Sequence, residues 1–411
     1  MFSVRALVNR SLLRDSALKS SASRCSQFHS STWFAKASVV EWGYGSEDMT
    51  AIESNSIISQ GPGRTRIAAG ASHRLIALSG GDEAGVLGDG MNHSGQLGSG
   101  TRDDEKTFSA IDTTGMEILA VACGREHSML LAREEKQNNG GSAQSVASSS
   151  SSLGKTLLFG FGNSMYGQLG LGGSKDTLGQ ELAGQAVAGF VFEPLPTEVK
   201  LADPSENVVQ VECGLDHTVL LTDQGNLYTM GWGADGQLGL GPESSSDRAV
   251  PTLVERLSWK AKGKEIGRIL EPMHIPHPIP ETETIASVAA GGTFGLLLTK
   301  TGKVYTCGYG ALGLGQDKTQ ILMPEQITSL SRIREIFAST DYAAAIDDNG
   351  DLYTWGTCGN TGRLGHGRFE HCFEPKRVKM PQEQGGRKVV VHDVSLGQDG
   401  GLAIIEYDDE K

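Results

Sequence analysis

The sequence has few of the features that mark membrane proteins, helical proteins and enzymes. Its 411 residues contain no run of 18 apolar residues, the length that a membrane-spanning helix needs. Apolar residues at helical spacing are almost absent outside the N-terminus. There is no Ser/His/Asp order, no paired carboxylate motif and no context for a cysteine nucleophile. We therefore predict neither a transmembrane span nor chemical catalysis, and no cofactor; peripheral contact with a membrane stays open.

Glycine is abundant, and it recurs in a fixed pattern. Residues 88–100 read Gly-Asp-Gly-Met-Asn-His-Ser-Gly-Gln-Leu-Gly-Ser-Gly, and closely similar tracts occupy residues 160–172 and 231–241. Weaker copies occupy residues 307–315 and 355–367. No Gly-Lys-Ser/Thr follows any copy, so a phosphate-binding loop is not indicated. The glycines fit tight turns between packed strands, and the fixed spacing indicates one supersecondary unit used repeatedly.

A second element alternates with the first and reads Gly-x-x-His followed by Ser or Thr. In chain order, the residues at the histidine position are His73, His127, His217, Phe294, Tyr342 and Gly400. Because the position accepts Phe and Tyr, we interpret it as a packing site whose imidazole satisfies local backbone groups, and not as a metal site. Between the two elements an apolar run, an Asx/Gly turn and a second β-rich run predict a β-hairpin, which makes the chain all-β.

The first and last copies are halves of one unit. Residues 389–405 carry the Gly-x-x element but lack the strand that should follow it, and residues 39–45 supply such a strand at the N-terminus. A split unit of this kind pairs the two ends of the chain, and it lets a ring of sheets close without a free edge. We count six repeats and predict a ring closed by its terminal strands.

The two motifs in register, together with the split unit, closely resemble the regulator of chromosome condensation repeat family over residues 39–405. The resemblance implies a closed β-propeller, for which seven blades is the family norm. The founding member is a guanine-nucleotide exchange factor that grips a small GTPase with one face and docks on chromatin with the other. This chain resembles the mitochondrial branch, whose members are associated with GTPase regulation, ribosome and RNA metabolism, and respiratory-complex assembly.

The first 38 residues differ from the rest of the chain. They hold six basic residues against Asp15 alone, with many serines, which is typical of a mitochondrial transit peptide; a disordered basic tail is the alternative. We predict a transit peptide at 1–38 and a propeller at 39–411, located in the matrix or on the matrix face of the inner membrane. Without the leader, 30 basic and 48 acidic side chains remain, a net charge of −18 that disfavours general nucleic-acid binding.

Cysteine and histidine do not indicate a metal site. Six cysteines in a matrix protein are expected to be reduced, and Cys123 and Cys213 stand where other repeats have alanine, so only a small residue is required there. His366 is expected to point outward on a loop. The spacing of one mixed cluster matches no common zinc knuckle; this cluster contains Cys358, His366, His371 and Cys372.

Insertions interrupt the repeat at residues 135–155, 173–196 and 256–283. The third combines five cations and a tryptophan with a Pro/His segment, on an otherwise acidic body. A solvated connector is one interpretation. The other is a surface that binds RNA or an acidic protein patch through Arg256, Trp259, Lys260, Lys262, Lys264 and Arg268.

These observations predict a protein whose loops bind partners. The first hypothesis is a non-catalytic mitochondrial assembly or scaffold factor for a respiratory complex or the mitochondrial ribosome. The second is guanine-nucleotide exchange on a mitochondrial GTPase, and the third is RNA binding. The implied partners are small or dynamin-like GTPases, ribosomal proteins and ribosomal RNA, and respiratory-complex subunits.

Overall fold

The computed structural model describes residues 37–43, 46–52, 67–78, 85–134, 154–173, 191–241, 246–254, 259–260, 274–275, 279–280, 282–380 and 388–408. For residues 37–43, 46–52, 259–260, 274–275 and 408 only the backbone is described. The regular elements in these ranges are β-strands, which confirms the all-β prediction. The described part of the chain offers no helix of the length and apolarity that a bilayer crossing demands.

The strands form six antiparallel four-stranded sheets, S1 to S6, and one short hairpin. S1 contains β3 (Ile67–Ala69), β4 (His73–Leu78), β5 (Gly85–Gly90) and β6 (Glu105–Ile111). S2 contains β7 (Met116–Cys123), β8 (His127–Glu134), β9 (Thr156–Asn163) and β10 (Phe192–Val199). S3 contains β11 (Val208–Cys213), β12 (His217–Thr222), β13 (Leu227–Gly231) and β14 (Arg248–Leu253).

The second half of the chain continues the pattern. The short hairpin pairs β15 (Trp259–Lys260) with β16 (His274–Ile275). S4 contains β17 (Ile285–Ala290), β18 (Phe294–Thr299), β19 (Val304–Tyr309) and β20 (Gln320–Gln326). S5 contains β21 (Ile333–Ala338), β22 (Tyr342–Asp347), β23 (Leu352–Gly356) and β24 (Cys372–Arg377). The six repeats counted in the sequence thus correspond to six sheets.

S6 is assembled from both ends of the chain. It contains β25 (Lys388–Leu396), β26 (Gly400–Asp408), β1 (Ala37–Gly43) and β2 (Ser46–Ile52). β1 pairs with β26 from Ala37 opposite Glu406 to Gly43 opposite Gly400. The predicted pairing of the terminal strands is confirmed, while closure of the ring itself stays a prediction.

Each sheet packs on the next through an apolar layer, because alternate side chains of a strand point to opposite faces. The S1–S2 layer includes Leu75 and Phe161, and the S2–S3 layer includes Met129 and Val211. The three later layers join S3 to S4, S4 to S5, and S5 to S6. The first strand of a sheet contacts the first strand of its neighbours, so these strands lie on the inside of the array.

The two repeated motifs lie at the same end of the sheets. In an antiparallel sheet, the loop between the first and second strands and the loop between the third and fourth strands share one end. The Gly-x-x-His loops and the glycine tracts occupy these two positions. The hairpin turns, such as the one closed by Gly225 N–H to Thr222 O (2.9 Å), lie at the opposite end together with the connections between sheets.

Candidate functional site

The loops between the first and second strands of S1 to S5 are linked edge to edge. We name this surface the loop arc (residues 70–72, 124–126, 214–216, 291–293 and 339–341). Backbone N–H groups of one loop donate to carbonyl oxygens of the next: Ala71 to Gly124 (3.2 Å), Arg125 to Leu215 (2.9 Å), Leu215 to Gly292 (3.1 Å) and Gly292 to Thr340 (2.9 Å). The backbone of the arc is therefore fixed, and its side chains are presented from a rigid frame.

The glycine of each Gly-x-x-His element permits this close approach. A Cβ on Gly124 would lie 2.0 Å from Cε1 of His127 and 2.6 Å from the carbonyl oxygen of Gly214. A Cβ on Gly214 would meet His217 at the same distance. Since no real Cβ is tolerated so close to backbone or ring atoms, only glycine fits at these two positions.

The repeated histidines connect neighbouring sheets through hydroxyl groups. His73 Nε2 lies 2.7 Å from Ser128 Oγ, and His127 Nε2 lies 3.2 Å from Thr218 Oγ1. Each hydroxyl donates to a glutamine carbonyl at 2.8 Å, so it must accept from the imidazole N–H. The prediction of a buried packing site is confirmed. The expectation that backbone groups would be the hydrogen-bond partners of the imidazoles was wrong. Their partners are side-chain hydroxyls, Ser128 for His73 and Thr218 for His127.

Burial keeps these imidazoles neutral. It lowers the pKa of His73 and His217 to about 4. Burial, with the neighbouring imidazoles as a smaller cause, lowers the pKa of His127 to about 3. The three side chains are locked into the layers between sheets.

The glycine tracts use their own backbone donors. Gly98 N–H bonds to Gly95 O (3.0 Å) and Gly100 N–H bonds to Pro194 O (2.8 Å) in the outer strand of the next sheet. Gln96 turns inward, and its Oε1 accepts from Ser94 N–H (3.0 Å). Because phosphate binding needs free N–H groups, this geometry supports the sequence interpretation of the tracts as structural turns.

Side chains that differ from repeat to repeat project beside the loops between the first and second strands, and we count them as part of the loop arc. In each of S1 to S5, the last residue of the third strand or the residue directly after it donates its backbone N–H to a carbonyl oxygen of the arc; these residues are Met91, Asn163, Trp232, Tyr309 and Thr357. Met91 is 50% exposed and Tyr309 is 51% exposed. The Trp232 ring packs edge-on against Tyr166, with centroids 4.5 Å apart. Exposed aromatic and methionine side chains on a fixed backbone are typical of protein-binding surfaces.

Charged side chains complete the surface. Arg125 pairs with Asp216 (2.9 Å), and Arg363 pairs with Asp341 (3.4 Å). Glu126 accepts hydrogen bonds from Ser94 Oγ (2.9 Å) and Asn163 Nδ2 (3.0 Å). Burial raises the pKa of Asp216, against the opposing effect of Arg125. The arc thus combines acidic groups with apolar side chains.

Comparison with known proteins decides the family. The family model described as Regulator of chromosome condensation (RCC1) repeat matches residues 84–131, 157–221, 224–266, 301–346 and 349–404. A second model of the same repeat matches residues 208–237 and 285–314. The chain belongs to this family.

Relatives of this RCC1 repeat protein span several kinds of protein. The RCC1-like G exchanging factor-like protein of Mus musculus is 27% identical over 420 residues, which cover 84% of each chain. The mitochondrial RCC1 domain-containing protein RUG3 of Arabidopsis thaliana is 31% identical over 252 residues, which cover 58% of this chain and 50% of RUG3. A chain in the crystal structure of Kap60 bound to yeast RCC1 (Prp20) matches with a TM-score of 0.55 at 18% identity, covering 91% of this chain and 90% of that chain. The sheets S1 to S6 are accordingly propeller blades of the RCC1 type.

The basic surface predicted for the RCC1 repeat protein lies almost entirely outside the described residues. Arg256, Lys262, Lys264 and Arg268 are not described, and Trp259 and Lys260 are described by backbone alone, in β15. In the β15–β16 hairpin Trp259 is opposite Ile275 and Lys260 is opposite His274. The binding role of these six residues stays a prediction.

The predicted Cys/His cluster is held by local hydrogen bonds. Cys358 N–H donates to His371 Nδ1 (3.1 Å), and His366 Nε2 lies 2.9 Å from Thr354 Oγ1. His366 does not point outward as expected, because its Nε2 also lies 3.3 Å from the carbonyl oxygen of Lys376. Burial lowers the pKa of His366 to about 4. No group of three or more His, Cys, Asp and Glu side chains suited to a metal ion occurs in the described ranges.

The free thiols of Cys123 and Cys213 lie in the layers between sheets. Burial raises the pKa of Cys123 to about 12, and it also raises the pKa of Cys213 well above its ordinary value. A thiol with so little thiolate is a poor nucleophile, which agrees with a packing role.

Sequence reasoning missed the surface residues of the arc and the role of Ser128 and Thr218. A signal for the hydroxyls was present, because Ser or Thr follows the histidine in the clearest copies. Met91 and Tyr309 gave no such signal, since their exposure follows from where the third strand ends.

Proposed function

We propose that this chain is a non-catalytic mitochondrial protein-interaction propeller that acts as an assembly or scaffold factor for a respiratory complex or the mitochondrial ribosome. The observation that carries the proposal is the loop arc. Its backbone is fixed by hydrogen bonds between blades, while its exposed side chains, such as Met91 and Tyr309, vary from blade to blade. A rigid frame with varied side chains binds a large partner at little entropic cost.

The mitochondrial location rests on the composition of residues 1–38 and is supported by the likeness to RUG3, which is named as mitochondrial. The net charge of −18 without the leader favours partners with basic surfaces, and ribosomal proteins are of this kind.

The test is a capture experiment with the chain from residue 37 onward. The protein is immobilised and exposed to matrix extract, with EDTA and with Mg²⁺ and GTP in parallel. The loop-arc variant Met91→Ala/Tyr309→Ala is compared with Leu195→Ala/Val250→Ala, which removes two equally exposed apolar side chains from outer strands.

Respiratory-complex or ribosomal subunits are expected to bind the unmodified protein and the outer-strand variant, both in EDTA and in Mg²⁺ with GTP. They are not expected to bind the loop-arc variant. Equal retention by all three proteins would mean that the loop arc is not the binding surface.

A second candidate function is guanine-nucleotide exchange on a mitochondrial GTPase. The likeness to the mouse RCC1-like G exchanging factor-like protein over 84% of both chains favours it. Exchange requires that a GTPase is retained in EDTA and released by GTP. It also requires that the chain speeds release of labelled GDP from that GTPase in stopped flow, and that Met91→Ala/Tyr309→Ala slows this effect.

A further inference from the structure

An open groove of about 450 Å³ lies at the end of S3 that is opposite the loop arc. The turn before β11 forms one side of it, and β13 and β14 form the other. The residues that line it include Asp203, Pro204, Glu206, Tyr228, Pro251 and Leu253. None of these residues belongs to the loop arc, to the glycine tracts or to the Gly-x-x-His elements.

The floor of the groove contains a carboxylate that is only half satisfied. Glu206 is 7% exposed. Its Oε1 accepts hydrogen bonds from Asn226 Nδ2 (3.1 Å) and Tyr228 OH (3.0 Å). Its Oε2 is buried and has no hydrogen-bond partner among the described residues. A buried carboxylate oxygen without a donor is costly, so a ligand that brings one is favoured.

The tyrosine keeps Glu206 in place. Burial, together with the adjacent Glu206 carboxylate, raises the pKa of Tyr228 to about 12. The phenol therefore remains a donor at any physiological pH, and it holds Oε1 of Glu206, which leaves Oε2 as the oxygen without a donor.

A second carboxylate stands at the exposed edge of the groove. Asp203 Oδ1 accepts from Ser205 Oγ (2.7 Å) and Ser205 N–H (2.9 Å). These two hydrogen bonds hold the pKa of Asp203 below its usual range. The groove therefore carries negative charge at its edge as well as at its floor.

The walls of the groove are apolar. Pro204 and Pro251 contribute ring carbons, and Leu253 is 40% exposed although it is a large aliphatic residue. The ligand that matches both the walls and the carboxylates has an aliphatic stem and a cationic end with several donors. Among protein side chains arginine fits best, since its guanidinium has five N–H donors and is only weakly hydrated.

We infer that this groove binds the arginine side chain of a partner polypeptide. Its stem lies along Pro204, Pro251 and Leu253, and its guanidinium donates to Glu206 Oε2 and to Asp203. The groove is a second binding surface, independent of the loop arc, so a partner that spans the propeller would be held from both ends.

The test uses a blocked amino acid, N-acetyl-arginine methylamide, in ligand-observed nuclear magnetic resonance titrations against the chain from residue 37 onward. N-acetyl-citrulline methylamide has the same shape without the charge and serves as the ligand control. Glu206→Gln and Asp203→Asn are the test variants, and Glu198→Gln makes the same charge change at an exposed site on β10.

Saturable binding of the arginine derivative is expected, with much weaker binding of the citrulline derivative. Loss of a charge-assisted hydrogen bond in Glu206→Gln is expected to weaken binding about tenfold, with no effect in Glu198→Gln. Asp203 is exposed, so Asp203→Asn decides the question if Glu206→Gln does not fold; it is expected to weaken binding several-fold.

Equal binding of arginine and citrulline derivatives, or unchanged affinity in both test variants, would overturn the inference. Binding that appears only after residues 256–268 are replaced by Gly and Ser would also overturn it, because the chain's own basic segment would then be the occupant. Loss of partner capture in the loop-arc variant with arginine binding intact would separate this site from the proposed function.

Discussion

At the scale of single residues, the chain of histidines and hydroxyls stops at His217. The residue that should supply its partner, after Phe294 in S4, is Gly295 in place of Ser or Thr. Nε2 of His217 consequently has no hydrogen-bond partner in the described ranges, and its Nδ1 has none either, as in His73 and His127. An orphaned buried imidazole lowers stability, and a single side chain can correct it.

Gly295→Ser is expected to stabilise the protein. A Cβ at this position would have Cys307 Sγ at 3.9 Å and Ala289 O at 4.0 Å as its nearest neighbours, so the side chain fits. The hydroxyl can accept from His217 Nε2 and donate to Gln237 O, as Thr218 does for His127 and Gln168. The gain over Gly295→Ala, which adds the carbon without the hydroxyl, is expected to be about 1 kcal/mol in the denaturation free energy. If Gly295→Ser is no more stable than Gly295→Ala, the proposed hydrogen bond between the new hydroxyl and His217 is refuted.

The buried histidines also predict a pH dependence. Their pKa values of about 3 to 4 in the folded protein lie below the ordinary value of 6.5. Between pH 6.5 and 4 the unfolded chain therefore binds protons that the folded chain does not, and stability falls as pH falls, by up to about 1.4 kcal/mol per pH unit and histidine. Glu212 acts in the opposite direction, because burial raises its pKa to about 7.

S4 has Phe294 at the position equivalent to His217. The substitution His217→Phe is expected to remove the contribution of this one histidine to the pH dependence of stability. Urea denaturation at pH 7.5 and at pH 5.5 gives the free energy of unfolding at each pH. The loss of unfolding free energy between pH 7.5 and pH 5.5 should be smaller in His217→Phe by roughly 1 kcal/mol. The matched control removes the exposed imidazole of His93. An unchanged pH dependence in His217→Phe would show that this histidine does not take part.

At the scale of strands and loops, much of the fold was predictable. The hairpins and the split unit follow from alternation, turn residues and repeat spacing. The insertion predicted at residues 173–196 extended too far, because β10 begins at Phe192. Pro194 and Pro196 argue against a strand, but β10 is the outer strand of S2, where prolines are tolerated because one edge has no partner.

The arginine groove could not be predicted in this way. It brings Glu206 beside Tyr228 and Leu253, which come from different segments of the chain. Their proximity depends on how closely the turn before β11 packs against β14, and no local sequence pattern encodes that distance.

The shared sheet S6 leads to a prediction about the N-terminal strands. Deletion of residues 1–52 removes β1 and β2 and leaves the edge of β26 unpaired, whereas deletion of residues 1–36 leaves S6 complete. We expect the longer deletion to raise the rate of limited proteolysis at least about tenfold through local unfolding of S6. The shorter deletion is the control, and equal protease resistance of the two would show that S6 does not depend on β1.

At the scale of the whole molecule, electrostatics separates the hypotheses. The chain without its leader has a net charge of −18, and the sequence analysis left RNA binding open through the basic segment. We expect no retention of ribosomal RNA by the chain from residue 37 onward at about 0.1 M salt, since phosphate contacts by five cations compete with repulsion from the body. Filter binding at several salt concentrations measures it. Retention that falls steeply with salt would favour the RNA hypothesis.

The construction of S6 also fixes an order of events in time. β1 is made first, and its partner β26 begins roughly 360 residues later. At about 5–20 residues per second, translation alone separates the two strands by roughly 20 to 70 s. During that interval β1 can pair only with β2, and S6 cannot be completed. Synthesis of β26 is therefore the step that permits S6 to form, and a chain interrupted before β26 never completes this sheet.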